Sequence, residues 1–171
     1  MFEEKIRVRD VAAQVLNSTK MQADKASVQC TLDAPADLPA LTADERKIRQ
    51  ILTNLVSNAI KFNVPNGTVA VQLSHDAEGF YVSVRDSGIG MSETDIPKAL
   101  ARFVQVDGNL NRKYEGLGIG LSIVQALTAQ HGGALTVKSE VGVGTVVTVA
   151  LPVERCVFEA ENASALGLSV A

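Results

Sequence analysis

The stretch Ile48-Arg-Gln-Ile-Leu-Thr-Asn-Leu-Val-Ser-Asn-Ala-Ile-Lys-Phe62 decides the fold. Its apolar residues recur at the i, i+3, i+4, i+7 and i+8 positions, which predicts a helix with one buried stripe. Thr42, followed three residues later by Glu45, predicts a capping box at the start of this helix. Pro65 and Asn66-Gly67 predict its end near Phe62. The predicted stripe contains Ile48, Ile51, Leu52, Leu55, Val56 and Ala59.

A second periodic pattern in the same helix involves polar residues. Asn54, Asn58 and Lys61 follow i, i+4, i+7 spacing. At about 100° per residue, these three side chains lie within roughly 60° of one another, beside the apolar stripe. They are either two surface amides with a snorkelling lysine or a polar site at the edge of the core.

Composition limits the classes of protein that this chain can represent. Its 171 residues are 46% hydrophobic and 4% aromatic, so one aliphatic core is expected. The net charge of -3 and the scattered basic residues argue against a nucleic-acid groove or a basic membrane patch. Two distant cysteines and the lack of a secretory signal predict a cytoplasmic setting, although a longer parent protein could be anchored in a membrane.

The remaining patterns predict helices gathered on one face of a mostly antiparallel, mixed sheet. This is an α+β two-layer sandwich, with a lid between two of its helices. We expect a linker at residues 1–7, one domain at residues 8–155 and a flexible tail at residues 156–171. The predicted elements are a helix at 9–26, a strand at 28–33, a connector at 34–40, a hairpin with strands near 69–73 and 81–85, a short helix at 92–101 capped by Ser92, a loop at 103–114, a helix from about 116, and strands at 135–138 and 145–151.

Glycines cluster where the predicted loop meets the last helix. Gly116, Gly118 and Gly120 lie at a helix N-terminus, where backbone N–H groups can bind phosphate oxygens. A flexible hinge or a tight packing contact would require the same residues. The spacing does not fit a dinucleotide-binding turn, and no P-loop motif occurs.

Asp86 ends the second hairpin strand and is followed by Gly88 and Gly90. Its carboxylate either caps the turn made by Ser87 and Gly88 or accepts a hydrogen bond from an exocyclic amine. The second alternative selects adenine over guanine, and therefore ATP over GTP.

The polar face of the Ile48 helix suits a metal–phosphate site. Mg²⁺ prefers oxygen ligands and takes much of its coordination from phosphates, so amide oxygens of Asn54 and Asn58 would suffice beside Lys61. Arg112 and Lys113, on the lid, either reach the terminal phosphate or are ordinary solvated charges.

Four motifs in register resemble those of sensor histidine kinases. The segment 54–62 resembles their N box, 86–90 their G1 box and 116–121 their G2 box, and Phe103 lies where the F box is found. The resemblance extends over roughly residues 8–153. It implies the ATP-binding fold shared with gyrase, Hsp90 and MutL, in which a lid covers Mg-ATP.

The resemblance also implies roles for individual residues. Asn58 would hold Mg²⁺ with help from Asn54, Lys61 would touch phosphate, and Asp86 would bind the adenine amine. Leu117 replaces the Thr or Ser that is usual between the first two G2 glycines, so a phosphate-contacting hydroxyl is lost. The implied catalytic residues are Asn54, Lys61 and Arg112, and the implied nucleotide-binding residues are Asn54, Asn58, Lys61, Phe62, Asp86, Gly88, Gly90, Phe103, Arg112, Lys113, Gly116, Leu117, Gly118 and Gly120.

A phosphoacceptor helix is missing from this sequence. His75 lies on the predicted hairpin and His131 at a helix end, and both are expected to be structural. The resemblance therefore implies a catalytic half that transfers phosphate to a histidine on a separate dimerisation domain, with a response regulator downstream. The domain alone is expected to be a monomer and its parent a homodimer.

ATPases of the same superfamily carry a carboxylate at the position of Asn54 as a base for water, so slow hydrolysis is expected here. The alternatives are a non-catalytic nucleotide sensor and a serine-directed kinase.

Overall fold

The computed structural model describes residues 2–101 and 119–158. Four α-helices and eight strands occur in these two ranges. The helices are α1 Val8–Ala26, α2 Glu45–Lys61, α3 Asp95–Ala101 and α4 Ile119–Gln130. The strands are β1 Glu4–Ile6, β2 Gln29–Asp33, β3 Ala40–Ala43, β4 Thr68–His75, β5 Gly79–Asp86, β6 Ala134–Glu140, β7 Gly144–Pro152 and β8 Cys156–Val157.

Helix α2 forms as its apolar period predicts, and every residue of the predicted stripe is buried. The predicted capping box, however, is wrong. Thr42 lies in β3, and the side chain of Asp44 caps the helix by accepting a hydrogen bond from the Lys47 N–H. Asp44 precedes the first helical residue, where a short carboxylate reaches the free N–H groups of the first turn.

The main sheet has five strands in the order β2-β4-β5-β7-β6. Only the β2–β4 pair is parallel, so the sheet is mixed and mostly antiparallel. The predicted hairpin is confirmed: Asp76 follows β4, and its Oδ1 accepts hydrogen bonds from the N–H groups of Glu78 in the turn and of Gly79 at the start of β5.

Helices α1, α2 and α4 pack together against one face of this sheet. Buried apolar residues of β4, β5 and β7 alternate with more exposed residues, as expected for a sheet with one covered face. The α+β two-layer sandwich predicted from the sequence is therefore confirmed. Among the described helices, none combines the length and apolar character that a membrane span requires.

A second, three-stranded sheet has the order β1-β3-β8. It uses residues 4–6 of the expected linker, the end of the expected connector, and Cys156–Val157 of the expected tail. Arg155 holds this sheet to the main body, because its guanidinium donates to the carbonyls of Thr42 and His131 and to Glu3 Oε1. The domain boundaries stay a prediction, and strands β1 and β8 lie just outside the two boundaries.

The short helix α3 begins at Asp95, three residues after the expected start. Ser92 contributes its carbonyl, which accepts from the N–H groups of Asp95 and Ile96, while its hydroxyl donates to the Asp95 carboxylate. The expected cap therefore acts through its main chain. The predicted loop at 103–114 lies outside the described residues.

Candidate functional site

A cavity lies between α2, α4 and the ends of β5 and β7. Its walls are mostly apolar, with Asn58 on the α2 side and Asp86 on the sheet side. Helix α2 brings Asn58 there because that residue borders the buried stripe of the helix. The described residues that line the cavity are Leu55, Asn58, Ala59, Phe62, Val84, Asp86, Ile89, Gly90, Met91, Ala99, Leu121, Thr145 and Val147.

Asp86 is the charged residue among the described residues that line this cavity. Its Oδ1 accepts hydrogen bonds from the N–H groups of Gly88, at 2.8 Å, and Thr145, at 3.2 Å. Its Oδ2 has no hydrogen-bond partner within residues 2–101 and 119–158. Burial raises the pKa of the carboxyl, and the two N–H donors oppose that shift. One oxygen is thus held by the fold, and the other can accept from a ligand.

The amide of Asn58 packs against the first turn of α4. A Cβ atom placed on Gly120 would lie 2.5 Å from Asn58 Nδ2 and 3.4 Å from the Cβ of Asn54. Asn58 Nδ2 is buried and finds no hydrogen-bond acceptor among the described residues. A buried amide nitrogen without an acceptor is costly, and of the three buried side-chain atoms that lack a partner among the described residues, Asn58 Nδ2 alone belongs to a residue that lines the cavity.

The three polar residues of α2 do not occupy equivalent positions. Asn58 lines the cavity, Asn54 is half-buried one turn earlier near Gly120, and Lys61 is exposed. The Nζ atom of Lys61 lies 5.3 Å from the centroid of the Phe62 ring, a cation–π contact. The structure therefore brings Asn54 and Asn58 together and leaves Lys61 at the rim.

The glycines after Asp86 are explained by contacts within the chain. A Cβ on Gly88 would collide with the carbonyl oxygen of Phe62, and one on Gly90 with the carbonyl oxygen of Glu140. Gly90 also has a φ of +65°, a conformation that favours glycine. Only Gly90 of the two lines the cavity. A nucleotide-binding role for these glycines stays a prediction.

Several predicted residues lie outside the described ranges. These are Phe103, Arg112, Lys113, Gly116, Leu117 and Gly118. Conversely, Thr145, Met91 and Leu121 line the cavity and were missed. Thr145 faces Asp86 in the antiparallel register of β5 and β7, and predicting that strand pairing from the sequence would have found it.

Both histidines lie away from the cavity lining. His131 is fully buried, with Nδ1 2.8 Å from the carbonyl oxygen of Leu127, and its Nε2 accepts from the Asp44 N–H. The Nδ1–H tautomer satisfies both contacts. His75 packs edge-on against Phe158, with 6.0 Å between the ring centroids. These contacts agree with the expected structural roles.

Helices on one face of a mixed sheet, with an amide and a carboxylate facing one cavity, are the arrangement of the ATP-binding domain that sensor histidine kinases carry. The chain belongs to the histidine kinase-, DNA gyrase B- and HSP90-like ATPase family, whose sequence profile matches residues 43–155. The resemblance noted in the sequence is thereby confirmed.

Two similar relatives carry the name of a histidine kinase. The circadian input-output histidine kinase CikA of Synechococcus elongatus is 34% identical over 153 residues, which cover 88% of this chain and 20% of CikA. The cell-division control histidine kinase PdhS of Brucella anthropi is 34% identical over 161 residues, covering 89% of this chain and 15% of PdhS. The chain thus spans at most about a fifth of the length of these relatives.

Solved structures share the fold. Full-length ShkA in complex with AMPPNP superposes with a TM-score of 0.77 at 29% identity, over 94% of this chain and 32% of ShkA. The nucleotide-free catalytic domain of the histidine kinase ThkA gives a TM-score of 0.74 at 25% identity, over 89% of this chain and 96% of that domain.

Proposed function

We propose that this chain binds Mg-ATP in the cavity and transfers its γ-phosphate to a histidine on a separate phosphoacceptor domain. The proposal rests on two polar groups that line the same cavity. Asp86 has one carboxylate oxygen open, and Asn58 has an amide nitrogen that lacks an acceptor among the described residues. The complex of ShkA with AMPPNP, an ATP analogue, supports it from a similar structure.

The apolar end of the cavity suits the adenine ring. Leu55, Ala59, Val84 and Val147 supply aliphatic walls that exclude water from a flat ring. At this end the second oxygen of Asp86 accepts a hydrogen bond from the N–H of the exocyclic amine. Guanine carries a carbonyl oxygen at the same place, and two acceptors facing each other would lose the bond and repel. Asp86 therefore selects ATP over GTP.

The amide end of the cavity suits a magnesium-bound triphosphate. Asn58 would hold the ion through its amide oxygen, with Asn54 assisting, because hard cations prefer oxygen ligands. Bound there, Mg²⁺ would neutralise phosphate charge. A phosphate oxygen would also supply the acceptor that Asn58 Nδ2 lacks among the described residues. We propose that Lys61, Arg112, Lys113, Gly116, Leu117, Gly118 and Gly120 act on the phosphates, and that Phe103 belongs to the lid over them.

The reaction requires positioning more than acid–base help from this chain. Asn54, one turn before Asn58, cannot take a proton from water, so bound ATP is protected from hydrolysis. The imidazole nitrogen of a docked histidine then attacks the γ-phosphorus, the bond to the bridging oxygen breaks, and ADP leaves. We propose that this domain acts in the cytoplasm, and that its partners are the dimerisation and phosphoacceptor domain of a homodimeric parent kinase and, downstream, a response regulator.

A binding experiment tests the nucleotide site. We expect Mg-ATP to displace a fluorescent ATP analogue from the 171-residue chain, and Asn58→Ala and Asp86→Asn to weaken that competition. Asn17→Ala, at an exposed asparagine of α1, is the matched control and keeps full affinity. Equal affinities for all four proteins would refute the nucleotide site.

A transfer experiment tests the reaction. Labelled ATP is supplied with the phosphoacceptor domain of a related histidine kinase, and acid-labile label on that domain is expected. ATP binding without transfer would favour a nucleotide sensor, an alternative motivated by Leu117 in place of a hydroxyl residue. Acid-stable label on serine would favour a serine-directed kinase.

A further inference from the structure

Ser139, on β6, connects three segments next to the cavity. Its Oγ accepts a hydrogen bond from the Met91 N–H at 2.8 Å. It lies 2.7 Å from Thr145 Oγ1 and 3.1 Å from the carbonyl oxygen of Gly144. Ser139 itself is not among the cavity-lining residues, whereas Met91 and Thr145 are.

The hydroxyl protons in this cluster can be assigned by counting hydrogen-bond donors and acceptors. The Gly144 carbonyl can only accept, so the single hydroxyl hydrogen of Ser139 goes to it. Thr145 must then donate its own hydroxyl hydrogen to Ser139 Oγ, which accepts from Met91 as well. In this arrangement the hydroxyl of Ser139 donates one hydrogen bond and accepts two. The hydroxyl of Thr145 has used its hydrogen and can only accept further hydrogen bonds.

Thr145 links this cluster to the carboxylate. It stands opposite Asp86 in the β5–β7 register, and its N–H is one of the two donors that hold Asp86 Oδ1. The turn after Asp86 is held from the same side, since Ile89 accepts from the Gly142 N–H and Met91 donates to Ser139. One hydroxyl thus fixes both the strand and the turn that flank the carboxylate.

We propose that Ser139 is a positioning residue for base selection, which holds Thr145 and Met91 so that the open oxygen of Asp86 and the lone pairs of Thr145 present acceptors to the ligand. A ligand edge that donates hydrogens, as an aminopurine does, fits such a surface. The inference rests on the proposed binding of ATP and adds to it a residue that does not touch the nucleotide.

The test compares two nucleotides that differ by the amine. Binding of Mg-ATP and of the magnesium complex of purine riboside triphosphate, which lacks the 6-amino group, is measured by calorimetry on the 171-residue chain. For Ser139→Ala we expect a loss of ATP affinity of about fivefold to tenfold, as for one lost hydrogen bond. Affinity for the purine analogue stays unchanged, so the ratio of the two affinities falls.

Ser83→Ala is the matched control, because Ser83 also pairs with a threonine hydroxyl across β5 and β7, at 3.1 Å from Thr148, on the opposite face of the sheet. Ser83→Ala should bind both nucleotides with unchanged affinity. Should Ser139→Ala fail to fold, Ser139→Cys keeps the shape with weak hydrogen bonding and should lower the ratio in the same direction.

An unchanged ratio in a folded Ser139 variant, or an equal loss for both nucleotides, overturns the positioning role alone. Failure of the unsubstituted chain to prefer ATP over the purine analogue, or full ATP affinity in Asp86→Asn, overturns the adenine site and the inference with it.

Discussion

The amide of Asn58 on α2 fills the space above Gly120 on α4, so close that a Cβ on Gly120 would lie 2.5 Å from Asn58 Nδ2. Helices α2 and α4 can approach at this point because one of the two residues has no side chain. The last glycine of the Gly-x-Gly-x-Gly run therefore has a packing reason to be there, which the sequence left as an alternative to phosphate binding. Packing against Asn58 and contact with phosphate predict different effects of substituting Gly120.

Gly120→Ala should weaken Mg-ATP binding without unfolding the chain. Alanine gains about 1 kcal/mol of helix propensity over glycine, which offsets part of the clash, so the free energy of unfolding should change by no more than about 1 kcal/mol. The new methyl group displaces the end of the Asn58 side chain. We expect ATP affinity to fall about tenfold, as when the support of a metal ligand is disturbed. Calorimetry and urea unfolding measure the two quantities, with Gln125→Ala on the exposed face of α4 as the control.

The double variant separates packing from phosphate contact. If Gly120 acts through Asn58, adding Gly120→Ala to Asn58→Ala should cause no further loss of affinity. An additional tenfold loss in that background would instead assign Gly120 directly to the phosphates.

Gly90→Ala should destabilise the fold more than Gly142→Ala does. Both glycines have positive φ, at +65° and +79°, so each alanine is expected to cost about 1–2 kcal/mol in backbone strain. At Gly142 no atom lies within 4 Å of the added Cβ, whereas at Gly90 the Cβ meets the carbonyl of Glu140. The total for Gly90→Ala should therefore exceed about 3 kcal/mol. Urea unfolding gives both values, and equal losses would mean that the Glu140 backbone moves aside.

Periodic segments of the chain could be predicted from local sequence, and non-local pairings could not. The stripe of α2 and the β4–β5 hairpin follow from spacing and turn residues alone. Strand β3 was missed because four residues carry little periodicity, and it forms by pairing with Glu4–Ile6 on one side and with Cys156 on the other. Such pairing depends on residues that are distant in the chain, and Leu41 and its partner Cys156 are more than a hundred positions apart.

The candidate site divides in the same way. Asn58 and Asp86 could be identified because their residue types are unusual for their places on a helix face and at a strand end. Thr145 and Ser139 are ordinary strand residues, and their place beside Asp86 becomes evident only from the β5–β7 and β6–β7 registers. Gly88 and Gly90 indicate close approach in the sequence, but not whether a ligand or the chain itself comes close.

His131→Ala should lower stability without affecting a phosphorylation site. The substitution empties a fully buried position and leaves the Asp44 N–H and the Leu127 carbonyl without the partners they have now. The expected loss is about 2–4 kcal/mol in the free energy of unfolding. His75→Ala, which removes a single edge-on contact with Phe158, should cost less than about 1 kcal/mol. Labelled ATP should leave both histidines unlabelled, and label on either one would contradict their structural roles.

Asp86→Asn should raise the stability of the nucleotide-free chain at neutral pH while it abolishes adenine selection. Burial raises the pKa of Asp86 above its ordinary value of 3.8, so folding favours the protonated carboxyl. Its contribution to stability is complete at pH values below the unfolded pKa and is lost as the pH rises through the folded pKa. Asparagine is neutral throughout and keeps an oxygen for the Gly88 and Thr145 N–H groups.

Urea unfolding of both proteins from acid to neutral pH measures this difference. The stability advantage of Asp86→Asn should appear as the pH rises through the folded pKa and persist at pH 7.

Asp76→Asn should change stability with pH in the opposite direction. The N–H of Glu78 first, and then Tyr81 and Gly79, lower the pKa of Asp76 against its desolvation, so its charged form stabilises the fold above the unfolded pKa. That variant should lose stability at pH 7 and recover it as the pH falls. A loss at pH 7 in Asp86→Asn as well would mean that the Asp86 charge supports the fold, and that the carboxylate is not kept in the cavity at a cost to stability.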